Sequence, residues 1–173
     1  MIRAIFLLIL AVMAVFSRLI PHPANFTPIA ALALFGGVYF EKKYAFILPL
    51  AVLLVSDAII GFYDGIGWVY GSFLIIGLLG LWLRNHRSIR NTAGVTLAGS
   101  VIFFILTNFG VWLAGGLYMP TTAGLVECYV VAVPFFRNTL AGDLFYVAVL
   151  FGITEMAARR IPALGLPGGD SAK

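Results

Sequence analysis

Long apolar runs, broken at intervals by short polar stretches, divide the chain into six segments of helical length. They lie at about 2–20, 27–40, 44–61, 68–84, 92–115 and 138–158. The punctuation between them is Pro21-His22-Pro23, Glu41-Lys42-Lys43, Tyr63-Asp64-Gly65, Asn85-His86-Arg87 and the long stretch Gly116–Arg137. Strict apolar–polar alternation is rare, so the pattern predicts helices. Inside a bilayer a helix satisfies all of its own backbone groups. The second segment is short against the roughly 20 residues of a spanning helix.

Two boundaries need an argument. The apolar run Ile5–Phe16 behind Arg3 has the look of a signal peptide, yet it continues through Ser17-Arg18-Leu19-Ile20 without a small-residue cleavage pattern. It reads as the first span. The run Tyr129–Val133 is too short to cross and meets Pro134. A separate short helix at the rim is the expectation for 128–136, with a proline-kinked extension of the sixth helix as the alternative. A single helix over 126–158 exceeds one membrane thickness. Residues 164–173 hold Pro, Gly, Asp and Ser and read as a disordered cytoplasmic tail, which leaves 1–163 as one domain.

Composition fixes the broad class. At 62% hydrophobic and 10% charged residues, with mean hydropathy +1.05, the chain cannot cover a water-facing surface. Soluble domains carry about 25% charged residues. The expected fold is therefore an all-α integral membrane protein, a bundle of about six transmembrane helices. The net charge of +4 sits in short loops and is no nucleic-acid footprint. One cysteine, Cys128, excludes an internal disulfide and a multi-cysteine metal site.

Charge also orients the bundle. With six spans, Arg3, Lys42, Lys43, Arg84, Arg87, Arg90, Arg159, Arg160 and Lys173 share one side, and Arg18 and Arg137 lie on the other. Nine against two predicts that both termini are cytoplasmic. Trp68 and Tyr118 suit the outer interface and Trp82 the inner one. The spacings Ala33/Gly37, Gly94/Ala98 and Gly110/Ala114 offer small faces for close helix packing.

The polar residues that interrupt the spans gather towards the outer side. At about 1.5 Å of rise per residue, Asp57 lies roughly 6 Å, Asp143 roughly 8 Å and Asn108 roughly 10 Å below the outer edge. Trp112 stands one turn above Asn108 on the same face. Arg18, Tyr70, Ser72, Thr139 and Tyr146 belong to the same layer. Asn25, His22, Asp64, Tyr118, Glu127, Cys128, Tyr129 and Arg137 roof it from the loops. Phe26, Phe62, Tyr63, Phe109, Phe135 and Phe136 are available as ring surface. Charges inside a bilayer are costly and mark a site or a structural pair. One-sided placement predicts a cup rather than a path through the membrane, because channels and carriers place polar groups at the midplane or across the thickness.

Each of these residues also has a structural reading. Arg18 with Asp57, and Arg137 with Asp143, are candidate interhelical ion pairs. Asn108 can cross-link helices, and Trp112 and Tyr118 can anchor at the interface. His22 fits a turn, Cys128 an inert buried thiol, and Glu155 with Arg159 an i,i+4 pair at a helix end. Enzyme signatures are missing: there is no His-Glu-x-x-His, Gly-x-Ser-x-Gly or phosphate loop. No catalytic, cofactor or metal assignment follows.

The stretches Arg18-Leu19-Ile20-Pro21-His22-Pro23-Ala24-Asn25-Phe26-Thr27-Pro28, continuing to Gly37, and Thr107-Asn108-Phe109-Gly110-Val111-Trp112 resemble a bacterial family of uncharacterised membrane transport proteins. Pro134-Phe135-Phe136-Arg137-Asn138-Thr139-Leu140-Ala141-Gly142-Asp143 carries the same resemblance. More distantly, the layout is similar to the substrate-binding S-components of energy-coupling-factor vitamin transporters. That resemblance implies a six-helix protein with a vitamin pocket near the outer surface, driven by a coupling membrane subunit with an ATPase pair. The S-component Ala-x-x-x-Ala pattern is not reproduced, since Ala4, Ala11 and Ala14 stand at other spacings.

The resulting expectation is a multi-pass protein of the bacterial cytoplasmic membrane, lodged in lipid, that captures a small vitamin-like molecule for uptake. Its expected binding residues are Asp57, Asn108, Trp112 and Asp143, with Arg18, Asn25, Tyr70, Tyr118, Arg137 and Tyr146 around them. The alternative is a structural or assembly subunit with no ligand of its own.

Overall fold

The computed structural model describes residues 2–114, 116–161 and 164. Six helices follow in order: α1 (Ile2–Leu19), α2 (Ile29–Tyr39), α3 (Lys42–Ile60), α4 (Ile66–Asn85), α5 (Ile89–Ala114) and α6 (Thr122–Arg160). No strand occurs among the described residues. The first five helices fall within a few residues of the bounds read from the apolar runs.

The sixth does not. Residues 128–136 form no separate rim helix; they belong to a continuous α6 of 39 residues. It opens on Thr121, whose hydroxyl accepts from the Gly124 N–H at 3.2 Å. Pro134 lies inside it and removes one backbone donor. Neighbouring helices make such a loss tolerable, and here α5 braces both halves. Tyr129 donates to the Ile105 carbonyl at 2.7 Å, and the Phe104 ring meets both Tyr129 and Phe136. Below the proline, Ser100 bonds Asp143. At about 1.5 Å per residue α6 is roughly 58 Å long, beyond the 40–45 Å of a whole bilayer. Thickness alone was a poor reason to divide it, because long helices tilt or project.

The core is α2, and all eleven of its residues are buried. Its hydrophobic residues point all round, as expected of a helix enclosed on every side. It packs chiefly on α4, then on α3 and α6. The α2–α4 approach depends on glycine. A Cβ added at Gly37 would stand 2.5 Å from the Gly80 carbonyl carbon, and one at Gly80 would stand 2.5 Å from the Leu34 oxygen. Of the small pairs expected from sequence, Gly37 is used in this way, whereas Gly94 faces open space.

A polar clasp closes one end of the bundle. Arg84 donates to the Gly37 carbonyl through Nε (2.9 Å) and Nη2 (2.6 Å), and to the Phe40 carbonyl as well. These carbonyls belong to the open C-terminal end of α2, the negative end of its dipole. Arg87 pairs with the Glu155 carboxylate, donates to the Tyr39 hydroxyl at 2.7 Å and lies over the Tyr39 ring. The partner of Glu155 is thus Arg87 on the connection between α4 and α5, not Arg159 one turn along its own helix. We call this the basic end and its opposite the neutral end.

The exterior is hydrocarbon. Large exposed apolar side chains occur on every helix except α2, among them Phe16, Ile59, Leu78, Leu113 and Val130. Soluble monomers confine such patches to a few hundred Å². Helices α4, α5 and α6 are each long and apolar enough to cross a membrane. Leu164, the first residue of the expected tail, is buried in the core; positions 165–173 lie outside the described residues.

Candidate functional site

Eleven residues make α2 about 16 Å long, roughly half the 30 Å of a hydrocarbon core. Because its C-terminus is clasped at the basic end, it fills that half and leaves the neutral half open. The chain reaches α2 from the neutral end through residues 20–28, which are not helical. A turn is closed there by the Phe26 N–H to Pro23 carbonyl bond of 3.0 Å. Its third residue, Asn25, has φ 65°, a left-handed conformation that asparagine tolerates. Asn138 of α6 donates to the Ala24 carbonyl at 3.1 Å and tethers the turn. Gly142 lets the segment lie close on α6, since an added Cβ would meet Phe26 Cα at 3.1 Å and Thr27 N at 3.3 Å.

Between this segment, the N-terminal end of α2 and the facing helices lies a cavity of about 380 Å³, within the usual range of small-molecule sites. Ile29 and Ala30 form its floor, and Leu53, Val69, Phe73, Phe103, Phe104, Phe135 and Phe136 its apolar wall. Asn25, Thr27, Thr107, Asn108, Thr139 and Asp143 bring polar groups to it, and Tyr63 stands at its loop side. Asp143 is only 3% exposed. Its Oδ2 accepts from the Ser100 hydroxyl at 2.6 Å, and its Oδ1 has no hydrogen-bond partner among the described residues. Asn108 donates to the Phe104 carbonyl of its own helix at 2.8 Å. Pro28 supplies no side-chain cap to α2, and the first two residues of that helix, Ile29 and Ala30, line the cavity, so the positive end of the helix dipole lies beside it.

A second, larger space of about 640 Å³ lies near the basic end. It is a groove between α5, the residues just before it and α6, lined by residues such as Ala93, Val147 and Phe151 together with Arg87 and Glu155. Its polar lining includes Thr92, Thr96 and Arg159, while Arg87 and Glu155 are paired with each other. The neutral-end cavity gathers polar groups from the 20–28 segment, α5 and α6, with a buried carboxylate free of any basic partner among the described residues, and is the better candidate site.

Of the residues expected in a site, Asn25, Asn108 and Asp143 line the cavity together. Asp57 does not. It is fully buried and accepts from Tyr70 at 3.0 Å, so both residues tie α3 to α4. Trp112 is turned to the loop, its indole N–H donating to the Met119 carbonyl at 3.1 Å. Tyr146 backs the cavity through its ring contact with Phe26 at 5.6 Å. Tyr118 is half-buried away from the lining, and Arg137 is exposed on α6. The Arg137–Asp143 ion pair is not formed, because Asp143 faces inward to Ser100. Arg18 lies in the last turn of α1, and its side chain is outside the described residues.

Other expected residues hold structural posts. His22 Nδ1 bonds the Ile20 carbonyl at 2.7 Å in a local turn. Cys128 is buried, with Sγ 3.4 Å from the Asn108 carbonyl oxygen. Among the described residues no three His, Cys, Asp or Glu side chains are grouped to hold a metal. Sequence reasoning missed Ser100 and Phe104, although both precede Asn108 by whole multiples of four and so run down one stripe of α5. It also missed Thr27, Thr107, Phe73 and Phe103.

The Asp57–Tyr70 contact carries a direct prediction. Tyr70→Phe removes a donor from a buried acceptor and costs about 1–3 kcal/mol. A thermal melt of the purified variant is expected to show the loss.

Fold and site together define an apolar six-helix bundle with a half-depth central helix and a partly open, polar-tipped cavity above it. The chain belongs to DUF6580, a family of unknown function, which matches residues 1–164. No curated protein matches it, and no solved structure does.

Proposed function

We propose that this protein is a multi-pass component of the bacterial cytoplasmic membrane that binds a small, vitamin-like molecule in an outward-facing cavity as a step in its uptake. The observation that carries the reading is the cavity above α2. Polar side chains from the 20–28 segment, α5 and α6 converge there among aromatic rings, while the buried helix blocks the way to the basic end. A closed-bottomed cup suits capture, and release on the other side then needs movement of the protein. The basic end faces the cytoplasm in this reading, following the distribution of lysine and arginine. A coupling membrane subunit with an ATPase pair is the energy source that the resemblance to S-components implies.

Native mass spectrometry of the protein, purified in mild detergent, tests the reading. The expected result is a retained small molecule in the wild type. Asn108→Ala and Asp143→Ala remove hydrogen bonds worth about 1–3 kcal/mol each, so occupancy is expected to fall about tenfold in either variant. Full retention by both correctly folded variants overturns the site. A fixed protein partner with no small molecule points instead to an assembly subunit.

A further inference from the structure

We infer that the molecule held in the neutral-end cavity is a small organic cation, with its positive charge on Asp143 and its body against the phenyl rings. The inference rests on the proposed binding function and adds the charge class of the ligand. Among the described lining residues, Asp143 is the one that carries a formal charge. Its Oδ2 is taken by a neutral hydroxyl donor, Ser100, and Oδ1 is left to the cavity. Arg137, the basic residue expected to neutralise it, is exposed on α6 and absent from the lining.

The free N–H groups at the start of α2 add a partial positive charge of about half a unit. With Asp143 ionised, that leaves the cavity net negative. An anionic ligand meets repulsion from the buried Asp143 carboxylate. A neutral one leaves a desolvated carboxylate without a counter-charge. A cation corrects both, and the faces of Phe73, Phe103, Phe104, Phe135 and Phe136 add cation–π attraction. The site is also poor for a bare metal ion, since one carboxylate and scattered amide and hydroxyl groups do not replace a hydration shell of six or more oxygens.

Two probe sets of fixed shape and varied charge test this on the full chain in detergent, by calorimetry and thermal shift. One set is 1-methylnicotinamide, nicotinamide and nicotinate; the other is benzyltrimethylammonium, benzyl alcohol and benzoate. The cation of at least one set is expected to bind about tenfold or more tighter than its neutral counterpart, and the anions weakest. Asp143→Asn keeps an oxygen for Ser100 and is expected to erase the charge preference. Thr139→Trp fills the cavity and is expected to abolish binding of every probe.

Equal binding of cation and neutral probe, lost in Thr139→Trp, overturns the cation assignment and leaves the small-molecule site standing. The same holds for tighter binding of an anion, or for a charge preference that survives Asp143→Asn. No binding of any probe, or binding that Thr139→Trp does not weaken, overturns the site and the cation assignment together.

Discussion

Gly80→Ala is expected to be among the most destabilising single-methyl additions in the bundle. The new Cβ would stand 2.5 Å from the Leu34 oxygen and 3.0 Å from Gly37 Cα. Both are backbone atoms of α2, so no side chain can rotate away. Added methyl groups in tight cores usually cost about 1–3 kcal/mol, and a clash between two backbones belongs at the top of that range or above it. At about 2–4 °C per kcal/mol for a chain of this length, the melting temperature should fall by roughly 10 °C. Gly37→Ala should behave alike, because it enters the same contact from the other helix. Gly94→Ala is the control: its Cβ meets nothing within 4 Å, and helix propensity favours alanine there. A melt of Gly80→Ala that overlays the Gly94→Ala curve would show that α2 and α4 are not packed through glycine.

Arg84→Ala carries the second large effect. The guanidinium holds the Gly37 and Phe40 carbonyls at the C-terminal end of α2. Hydrogen bonds to a charged group contribute about 1.5–3 kcal/mol, and alanine leaves those carbonyls without their donor. A loss of about 3 kcal/mol is expected, read as a lower melting temperature in the same detergent. Arg84→Lys should recover only part of it, since an ammonium cannot reproduce the planar fork that reaches two carbonyls. Full rescue by lysine would mean that charge near the helix end matters and the fork does not.

The two residues act on the proposed site at a distance. Gly80 sets how α2 lies against α4, and Arg84 fixes the end of α2 remote from the cavity. Together they determine the depth at which Ile29 and Ala30 form the floor. Either substitution is therefore expected to weaken ligand capture as well as stability, without touching a lining residue.

Depth along a helix was legible in the sequence, and direction around it was not. A fixed rise per residue puts Asp57, Asn108 and Asp143 in one layer. Nothing in a lone span tells that Asp57 faces Tyr70 while Asp143 faces the cavity. Azimuth depends on neighbours, which uniform apolar runs leave open: lipid-facing and core-facing side chains are both hydrocarbon. Ser100 was hidden for a related reason. Its hydroxyl also bonds the Thr96 carbonyl at 3.1 Å, the ordinary habit of serine in a buried helix, and only the fold brings Asp143 to it. Glu155 had a plausible partner four residues on, and the tertiary alternative in Arg87 left no local mark.

The motif stretches were more informative than the polar residues taken singly. Pro134–Asp143 contains Asn138, Thr139, Gly142 and Asp143, which tether, line, admit and charge the same cavity. Pro23–Pro28 supplies the turn that Asn138 holds, and Thr107-Asn108 the facing wall. Stretches that resembled other proteins for reasons not evident along the chain meet at one place in the fold.

The enclosure of α2 also bears on how the molecule comes to exist. A helix of eleven residues is too short to lodge across a bilayer unaided, and this one exposes no side of itself to hydrocarbon. Its principal partner, α4, is separated from it by 26 residues of chain, and α6 is made last. During synthesis the centre of the protein must therefore wait, unhoused, for its walls. Helices α4, α5 and α6 are long and apolar enough to form spans, whereas α2 needs their cover, so a defect in α4 or α6 should be felt first as a failure to shelter α2.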